Sequence, residues 1–384
     1  MGKIIIHAGM GKAGSTSIQE WLREHGEQLQ AEAGVTTLTA TVDASGRVRV
    51  EGHTRGTMNS FTVMRHCAEH PEDRRSVLDS FFAQLDQGAH RHGAVVLSAE
   101  IFGRSIALKE EDFVRRLNEL GSSHDVHVAY YVRPQHAALE SGWRHWRSDR
   151  EKVPSEYIQR LSRELHHLET LTFVRDVAPR VRFVPRPCRR DLLHGGDVVA
   201  DFAHVFVGVQ PQHDVQYWEN RGLPLDVASA LSSIPGKLLW PPQQDPVVLD
   251  LVRGLVTDPN LAESDQAHLA HLVLQQACHE RFEDENREMI AALGWETNEW
   301  VPAVDTDIGE ASFERMNGLW RSSASAGELA VLHRALAQLV EAERLRKESE
   351  RLRGEVGRLR ASRSLRAAVL VSRALHPLHL RRKG

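Results

Sequence analysis

The composition of the 384-residue chain is that of an ordinary globular protein, with 41% hydrophobic and 26% charged residues. A formal net charge of −4 excludes a general electrostatic attraction to nucleic acid. Three widely separated cysteines argue against a disulfide framework and against a structural zinc site. The first strand is predicted from residue 3 and no apolar run is long enough to span a bilayer, so we expect a cytoplasmic protein.

A strand, a glycine-rich turn and a helix are predicted at the start of the chain. The apolar run Ile4–Ile6 indicates a buried strand, and a helical pattern begins at about Thr16. The inward positions of this helix are Ile18, Trp21, Leu22 and Leu29. A helix that starts directly after such a turn presents free backbone N–H groups and a partial positive charge, so this segment predicts an anion site.

The residues of this turn carry the donors and the charge that an anion requires. Three glycines allow the backbone to curl so that its N–H groups point inward, namely Gly9, Gly11 and Gly14. Lys12 adds a full positive charge. The hydroxyl donors that follow are Ser15, Thr16 and Ser17. A glycine turn without a ligand is the plain alternative, but such turns rarely combine a preceding strand, a lysine and three hydroxyls.

Further along the chain, strands alternate with helices. Strands are predicted at three apolar runs, Ala94–Leu97, Val126–Val132 and Val181–Val184. Between them lie helical patterns such as Ser76–Gly88, and this alternation predicts an α/β fold with a central parallel sheet covered on both faces. Residues 40–60 are expected to form a loop, and residues 210–260 short helices and loops. Residues 265–293 predict a long helix.

A second candidate anion site follows one of these strands. The run Val126–Val132 ends at Arg133, and a helical pattern comes next, with Ser141 about two turns along it. An arginine at the carboxyl end of a strand lies at the rim where open α/β sheets bind ligands. Its guanidinium provides permanently charged, bidentate contacts, and the serine adds a donor. An ordinary surface arginine and a helix serine would give the same pattern, so its weight comes from the preceding glycine turn.

The glycine turn differs from a nucleotide-triphosphatase loop. In that loop the lysine follows the last glycine, and a hydroxyl residue follows the lysine to hold magnesium. Here Lys12 precedes Gly14, and Ala13 lies between them. The order Gly-Lys-x-Gly-Ser-Thr-Ser resembles the 5′-phosphosulfate loop of sulfotransferases that use 3′-phosphoadenosine 5′-phosphosulfate (PAPS). That family usually has Thr or Ser at the position of Ala13, a difference that removes one hydroxyl donor but no charge.

The spacing of Arg133 and Ser141 resembles the 3′-phosphate motif of the same family. Residues 182–208 and 268–294 are also similar to its middle and closing segments, so the resemblance covers about residues 3–300. It implies a three-layer α/β sandwich of the P-loop type, with PAPS as co-substrate and no metal. By this resemblance the PAPS-binding residues are Gly11, Lys12, Ala13, Gly14, Ser15, Thr16, Ser17, Arg133 and Ser141.

The implied reaction transfers a sulfuryl group to a hydroxyl, with Lys12 as a catalytic cation and a further residue as the base. Glu100 is the first candidate base, because the corresponding strand end in the family often carries a His or Glu base. To accept a proton near neutral pH, Glu100 would need a raised pKa, which partial burial would cause. The alternative is a structural carboxylate paired with an arginine such as Arg104. His53, in a polar loop, is the second candidate, although most of the 22 histidines are expected at the surface.

The C-terminal part of the chain has a different composition. Residues 306–360 form a predicted helical extension in which leucines recur every seven residues, at Leu345, Leu352 and Leu359. Either a short coiled coil that joins two chains or a solvated amphipathic helix fits this pattern. Residues 361–384 hold six Lys or Arg residues and no acidic residue, which suits either contact with anionic lipid or a solvated terminus.

These features together predict a PAPS-dependent sulfotransferase with its α/β domain at residues 1–305, acting on a hydroxyl of a glycan, a glycolipid or another small metabolite. Membrane contact through the basic tail and a homodimer through the C-terminal helix are further expectations, and no nucleic acid is expected. A P-loop-type small-molecule kinase is one alternative, which the position of Lys12 opposes. The other is a non-catalytic nucleotide-binding scaffold, which would not need the intact set of Lys12, Arg133 and Ser141.

Overall fold

The computed structural model describes residues 1–9, 13–52, 61–146, 162–210, 265–297, 300–322, 341–342, 344–356 and 358. The chain divides into two compact units. The first comprises Met1–Leu225 and Glu263–Ser323, and it contains the described sheet. The second comprises Asp226–Ala262 and Ala324–Gly384, and its described residues are helical from 344 to 356.

The described strands are β1 Lys3–His7, β2 Val35–Val42, β3 Val48–Gly52, β4 Ala94–Ser98, β5 Asp125–Val132 and β6 Arg182–Pro187. They form one sheet in the order β3-β2-β4-β1-β5-β6. Every neighbouring pair is parallel except β2 and β3, which pair antiparallel. The four strands predicted from the sequence are confirmed. The prediction of a parallel sheet is wrong in one respect, because the sheet is mixed and has an antiparallel strand at one edge.

Over residues 40–52, the antiparallel edge also corrects the prediction that residues 40–60 form a loop, and residues 53–60 lie outside the described residues. A tight turn at residues 43–47 joins β2 to β3. The Asp43 side chain accepts hydrogen bonds from the backbone N–H groups of Ser45 (2.9 Å) and Arg47 (3.2 Å). Gly46 has a φ of +77°, which residues with a Cβ rarely adopt. The polar residues at 43–47 are therefore a hairpin turn between two strands.

The described helices of the first unit are α1 Ser15–Ala33, α2 Phe61–Glu69, α3 Arg74–His92, α4 Glu100–Ala107, α5 Glu111–Leu120, α6 Gln135–Trp146, α7 His167–Val177, α8 Val198–Phe202, α9 Asp265–Leu293 and α10 Phe313–Ser322. A π-helical turn, Ala203–Val207, follows α8. The helices predicted from Thr16, at Ser76–Gly88 and at residues 265–293 are confirmed by α1, α3 and α9. The prediction for residues 210–260 lies outside the described residues from 211 onward.

Helices pack against both faces of the sheet. On one face of β1, the Lys3 ammonium donates to the carbonyl of Phe206 (2.9 Å) and the ring of His7 contacts Phe202 of α8. α1 packs against α8 in the same layer. Successive side chains of a strand point to opposite faces, so the buried Ile4 and Ile6 face the other layer, in which α3, α5 and α7 pack together. This arrangement is compatible with a three-layer α/β sandwich.

The described part of the second unit is a helix with exposed apolar side chains. Leu345, Leu352 and Val356 are 56%, 47% and 46% exposed. In a single chain, both a solvated amphipathic helix and one strand of a coiled coil would expose these residues, so both alternatives stay predictions. Leu359 and the basic tail at residues 361–384 lie outside the described residues. The predicted domain boundaries at 305 and 360 also stay predictions.

Candidate functional site

Three neighbouring parallel strands bring the predicted site residues to one edge of the sheet. β4, β1 and β5 lie side by side, with His7 of β1 paired with Ser98 of β4 and Ala129 of β5. The carboxyl ends of parallel strands meet at the same edge, where open α/β sheets bind ligands. The glycine turn after β1, Glu100 after β4 and Arg133 after β5 therefore open onto one edge.

The turn after β1 leads into the N-terminus of α1. Gly14 is the N-cap residue of α1, and its φ of +81° lies in the left-handed region. Ala13 is fully buried, whereas Thr16 is exposed and Ser17 is half-buried. The first turn of α1 contains no acidic residue, so no side chain of that turn offsets the partial positive charge of the helix N-terminus. The end of α1 at this edge is therefore suited to an anion.

Ser15, the first residue of α1, carries a buried hydroxyl at this helix end. The residue is 3% exposed, and its Oγ has no hydrogen-bond partner among the described residues. A buried polar atom without a partner costs free energy unless a ligand or another group satisfies it. The unpaired Oγ of Ser15 is therefore a donor available to an oxyanion at the helix N-terminus.

His7, at the end of β1, is a site residue that the sequence analysis did not identify. It is completely buried, and its Nδ1 lies 2.8 Å from the Oγ of Ser98. Its Nε2 has no hydrogen-bond partner in the described part of the chain. The ring lies against Tyr131 and Phe202, with centroid separations of 5.8 and 5.4 Å. Burial lowers the pKa of His7 to about 3, so the imidazole is neutral near pH 7.

Two glycines make room around the turn. A Cβ on Gly9 would overlap the Oγ of Ser15 and lie 2.9 Å from Nε2 of His7. A Cβ on Gly103 of α4 would lie 2.5 Å from the carbonyl oxygen of Gly9 and 2.7 Å from that of Ala8. α4 therefore packs directly on the backbone of the turn, and the side chains of Ser15 and His7 lie so close to Gly9 that a Cβ there would not fit.

Arg133 and Ser141 lie where the sequence predicted them. Arg133 directly follows β5 and is half-buried, and Ser141 is half-buried in the second turn of α6. The backbone near Arg133 is held on two sides, since Nε2 of His167 lies 3.3 Å from its carbonyl oxygen and the N–H of Cys188 donates to the carbonyl of Val132 (2.6 Å). These two contacts hold the backbone at Arg133 in place at the carboxyl ends of the strands.

The first turn of α6 lies close to positive charge that the sequence analysis did not predict. The pKa of His136 is lowered to about 4, first by burial and then by neighbours that include His271, Arg133 and Arg189. Its Nδ1 is buried and unpaired with respect to the described residues. Arg189, beyond β6, is one of these neighbours, and its guanidinium pairs with Asp191, with Nη2 2.7 Å from Oδ2. No local pattern marks this charge, because only the pairing of β5 with β6 brings it toward α6.

Of the two candidate bases, the structure describes Glu100 but not His53. Glu100 is the first residue of α4 and is half-buried at the same edge as the glycine turn. The guanidinium of Arg104, the partner considered for it, contacts Glu164, with Nε 3.1 Å from Oε1. His53 lies outside the described residues, as do Gly11 and Lys12, so their roles stay predictions.

Two groups of His and acidic side chains in the described residues have the spacing of a metal site, but neither includes a predicted site residue. One consists of Asp86, His90 and His124. There the N–H of Gly2 donates to Nδ1 of His124 (3.1 Å), and Nε2 of the same ring lies 2.8 Å from Asp86, so both ring nitrogens have partners. The other group lies between α2 and α3 and consists of His70, Glu72 and Asp73.

Comparison of the chain with known protein families, with curated proteins and with solved structures found no match. A proposal about function therefore depends on the residues and geometry at the carboxyl ends of β4, β1 and β5. Over the part of the chain that the structure describes, no helix is both long enough and apolar enough to cross a membrane.

Proposed function

We propose that this protein is a PAPS-dependent sulfotransferase with the P-loop-like sulfotransferase fold, which moves a sulfuryl group to a hydroxyl of a glycan, a glycolipid or a small metabolite. The observation that carries the proposal is that two anion-binding elements follow neighbouring parallel strands. The turn after β1 offers the N-terminus of α1, and Arg133 with Ser141 follows β5. PAPS carries a charged group at each end of its nucleoside and therefore suits two such elements at one edge.

The polar atoms beside the turn support an oxyanion as the ligand of the first element. The buried Oγ of Ser15 lacks a partner among the described residues, and a sulfuryl or phosphoryl oxygen would supply one. Gly9 has no Cβ, and this allows the hydroxyl to lie directly against the backbone of the turn. Lys12, three residues before Ser15 in the sequence, would add a full charge to the same element.

In the proposed reaction the acceptor oxygen attacks the sulfur in line with its bond to the leaving phosphate oxygen. The new S–O bond forms as the old one breaks, and adenosine 3′,5′-bisphosphate leaves. Lys12 and the N–H groups of the turn stabilise the negative charge that grows on the transferred and leaving oxygens. Glu100 or His53 accepts the proton of the acceptor hydroxyl. Ala13 follows Lys12 where a magnesium-binding hydroxyl would stand, so the proposal includes no metal.

The donor site is tested by calorimetric titration of the full-length protein with adenosine 3′,5′-bisphosphate. We expect this nucleotide to bind more tightly than ADP, with the same affinity when EDTA is present. Binding of ATP with magnesium alone would overturn the proposal in favour of a small-molecule kinase. If none of these nucleotides binds, the proposal fails and a scaffold function gains support.

Two substitutions test the residues of the site. Arg133→Ala should weaken binding of the bisphosphate by roughly 10- to 100-fold, because a charge-assisted hydrogen bond contributes about 1.5–3 kcal/mol. Lys12→Ala should remove most of the turnover while the fold is retained. The matched control is Arg175→Ala on α7, because Arg175 is exposed and contacts its neighbour Asp176. An unchanged affinity in Arg133→Ala would contradict the assignment of the 3′-phosphate site.

A further inference from the structure

Two buried polar atoms without partners among the described residues lie close together against Gly9, at the end of β1. They are Nε2 of His7 and Oγ of Ser15. A Cβ placed on Gly9 would overlap the serine oxygen and lie 2.9 Å from the histidine nitrogen. Both atoms are therefore neighbours on one side of Gly9. Two unsatisfied polar groups at one place are costly in a folded protein unless a ligand group that reaches them satisfies both.

The hydrogen bond at the other side of the His7 ring determines what Nε2 can do. A neutral imidazole carries one proton, so one ring nitrogen donates and the other accepts. The hydroxyl of Ser98 lies 2.8 Å from Nδ1 and can donate its proton to that nitrogen. Nε2 then carries the ring proton beside Gly9. The hydroxyl of Ser15 adds a second donor at the same place.

We propose that His7 binds the 5′ end of the donor nucleotide, with its Nε2–H donating a hydrogen bond to an oxygen of the 5′-phosphoryl group beside Gly9. This inference rests on the proposed function and adds a contact at the same site. Two donors, the N-terminus of α1 and the absence of an acid in the first turn of α1 all favour an oxyanion over a cation.

The buried position of His7 makes this donor independent of pH over the neutral range. Because burial holds the pKa of His7 at about 3, the ring keeps a single proton at every pH near neutrality. Ser98 and the rings of Tyr131 and Phe202 fix its orientation before the ligand arrives. A donor that is already oriented binds the ligand with little further loss of entropy.

Substitutions of His7 with two different amides test the contact. His7→Asn keeps an amide near Ser98 but is too short to reach the position of Nε2 beside Gly9. His7→Gln can place an amide donor near the position of Nε2. Both variants and the wild type are titrated with adenosine 3′,5′-bisphosphate and with adenosine 3′-monophosphate, which lacks the 5′ group. We expect His7→Asn to lose roughly 10- to 100-fold in affinity for the bisphosphate alone, and His7→Gln to recover part of that loss.

The matched control is His124→Asn, since His124 is also buried but lies directly before β5, at the amino ends of the parallel strands. It should leave both affinities unchanged. Equal losses for the two nucleotides in His7→Asn, or no loss for either, would overturn the contact while the proposed function stands. If the wild type binds neither nucleotide, the proposed function and the contact fail together.

A nitrogen NMR measurement tests the tautomer without any nucleotide. Long-range proton–nitrogen correlation in the ligand-free protein should show the ring proton of His7 on Nε2, and the Ser98→Ala variant should perturb that signal. A ring proton on Nδ1 would make Nε2 an acceptor, which repels an oxyanion, and would overturn the inference.

Discussion

Gly14 meets two separate demands at the N-terminus of α1. Its φ of +81° lies in the left-handed region, where a residue with a Cβ pays about 1–2 kcal/mol. A Cβ there would also lie 2.6 Å from Cγ1 of Val198 on α8. Gly34, which caps the other end of α1, has a φ of +65°, but no described atom lies within 4 Å of a Cβ placed on it. Substitutions at the two glycines therefore distinguish the free-energy cost of backbone strain from the cost of side-chain overlap.

Gly14→Ala is expected to lower the free energy of unfolding by about 2–4 kcal/mol, because strain and overlap add. Gly34→Ala, the matched control, should cost about 1–2 kcal/mol from strain alone. Urea denaturation followed by tryptophan fluorescence measures both. Adding Val198→Ala to Gly14→Ala should reduce the excess loss. Equal losses in the two single variants would contradict the close packing of Gly14 on Val198.

At the residue scale, the sequence predicts an anion site at the glycine turn but does not mark His7. Glycine, lysine and hydroxyl residues in this order have a local meaning, because the helix that follows them is also local. The proposed role of His7 depends on the contact of its Nδ1 with Ser98, which is 91 positions away along the chain. Arg189 is a similar case, because its charge acts on His136 although the two residues are far apart along the chain.

At the scale of secondary-structure elements, one buried carboxylate joins α8 to the sheet. Asp201 of α8 is completely buried and accepts a hydrogen bond from the hydroxyl of Tyr131 on β5 (2.8 Å). It also accepts from Nε of Arg186 on β6 (2.9 Å) and from the backbone N–H of His194 (2.9 Å). A second guanidinium nitrogen of Arg186 contacts the other carboxylate oxygen. This network positions the layer that covers His7.

Asp201→Ala is expected to lower the free energy of unfolding by about 3–5 kcal/mol, because Arg186 and Tyr131 would lose their buried partner. The matched control is Asp191→Ala, since Asp191 is 58% exposed and pairs with Arg189. That variant should change the free energy by about 0–1 kcal/mol. Chemical denaturation at pH 7 checks both values. A loss in Asp201→Ala no larger than in the control would mean that water replaces the carboxylate at little cost.

The sheet shows why some elements were predicted and others were not. β1, β4 and β5 are central strands covered on both faces, so their sequences are nearly continuous apolar runs. β3 is the edge strand and β2 lies next to it, and both mix apolar residues with threonine or charged residues. Their pattern of apolar residues is weaker, and the polar turn between them suggested a loop. The antiparallel pairing of residues 38–42 with residues 48–52 decides that this segment forms strands.

At the scale of the whole molecule, three buried histidines make stability depend on pH. Burial lowers the pKa of His7 to about 3 and the pKa values of His136 and His167 to about 4, from a usual value of 6.5. As the pH falls below 6.5, the unfolded chain binds protons that the folded chain cannot bind at these rings. The stability present at neutral pH is therefore lost between pH 6.5 and about pH 4.

Each of these histidines is expected to lower the free energy of unfolding by about 2 kcal/mol between pH 7 and pH 5. In His167→Gln, which can keep a donor to the carbonyl of Arg133, the loss over this interval should shrink by about that amount. Urea denaturation at both pH values measures the difference. His90→Gln is the control, because the His90 side chain is 57% exposed. A loss in His167→Gln equal to that of the wild type would contradict a buried neutral ring.

The sequence by itself determined the central strands and the long helices, and it predicts two anion-binding elements, at the glycine turn and at Arg133 with Ser141. These features depend on local periodicity and on residues that are neighbours along the chain. Only the tertiary structure decided that the sheet is mixed, in which order its strands lie, and that His7, Ser98 and Ser15 come together at the carboxyl ends of the strands. Those features depend on contacts between segments that are distant along the chain. No local sequence pattern reveals them, because burial and spatial neighbours are properties of the folded chain.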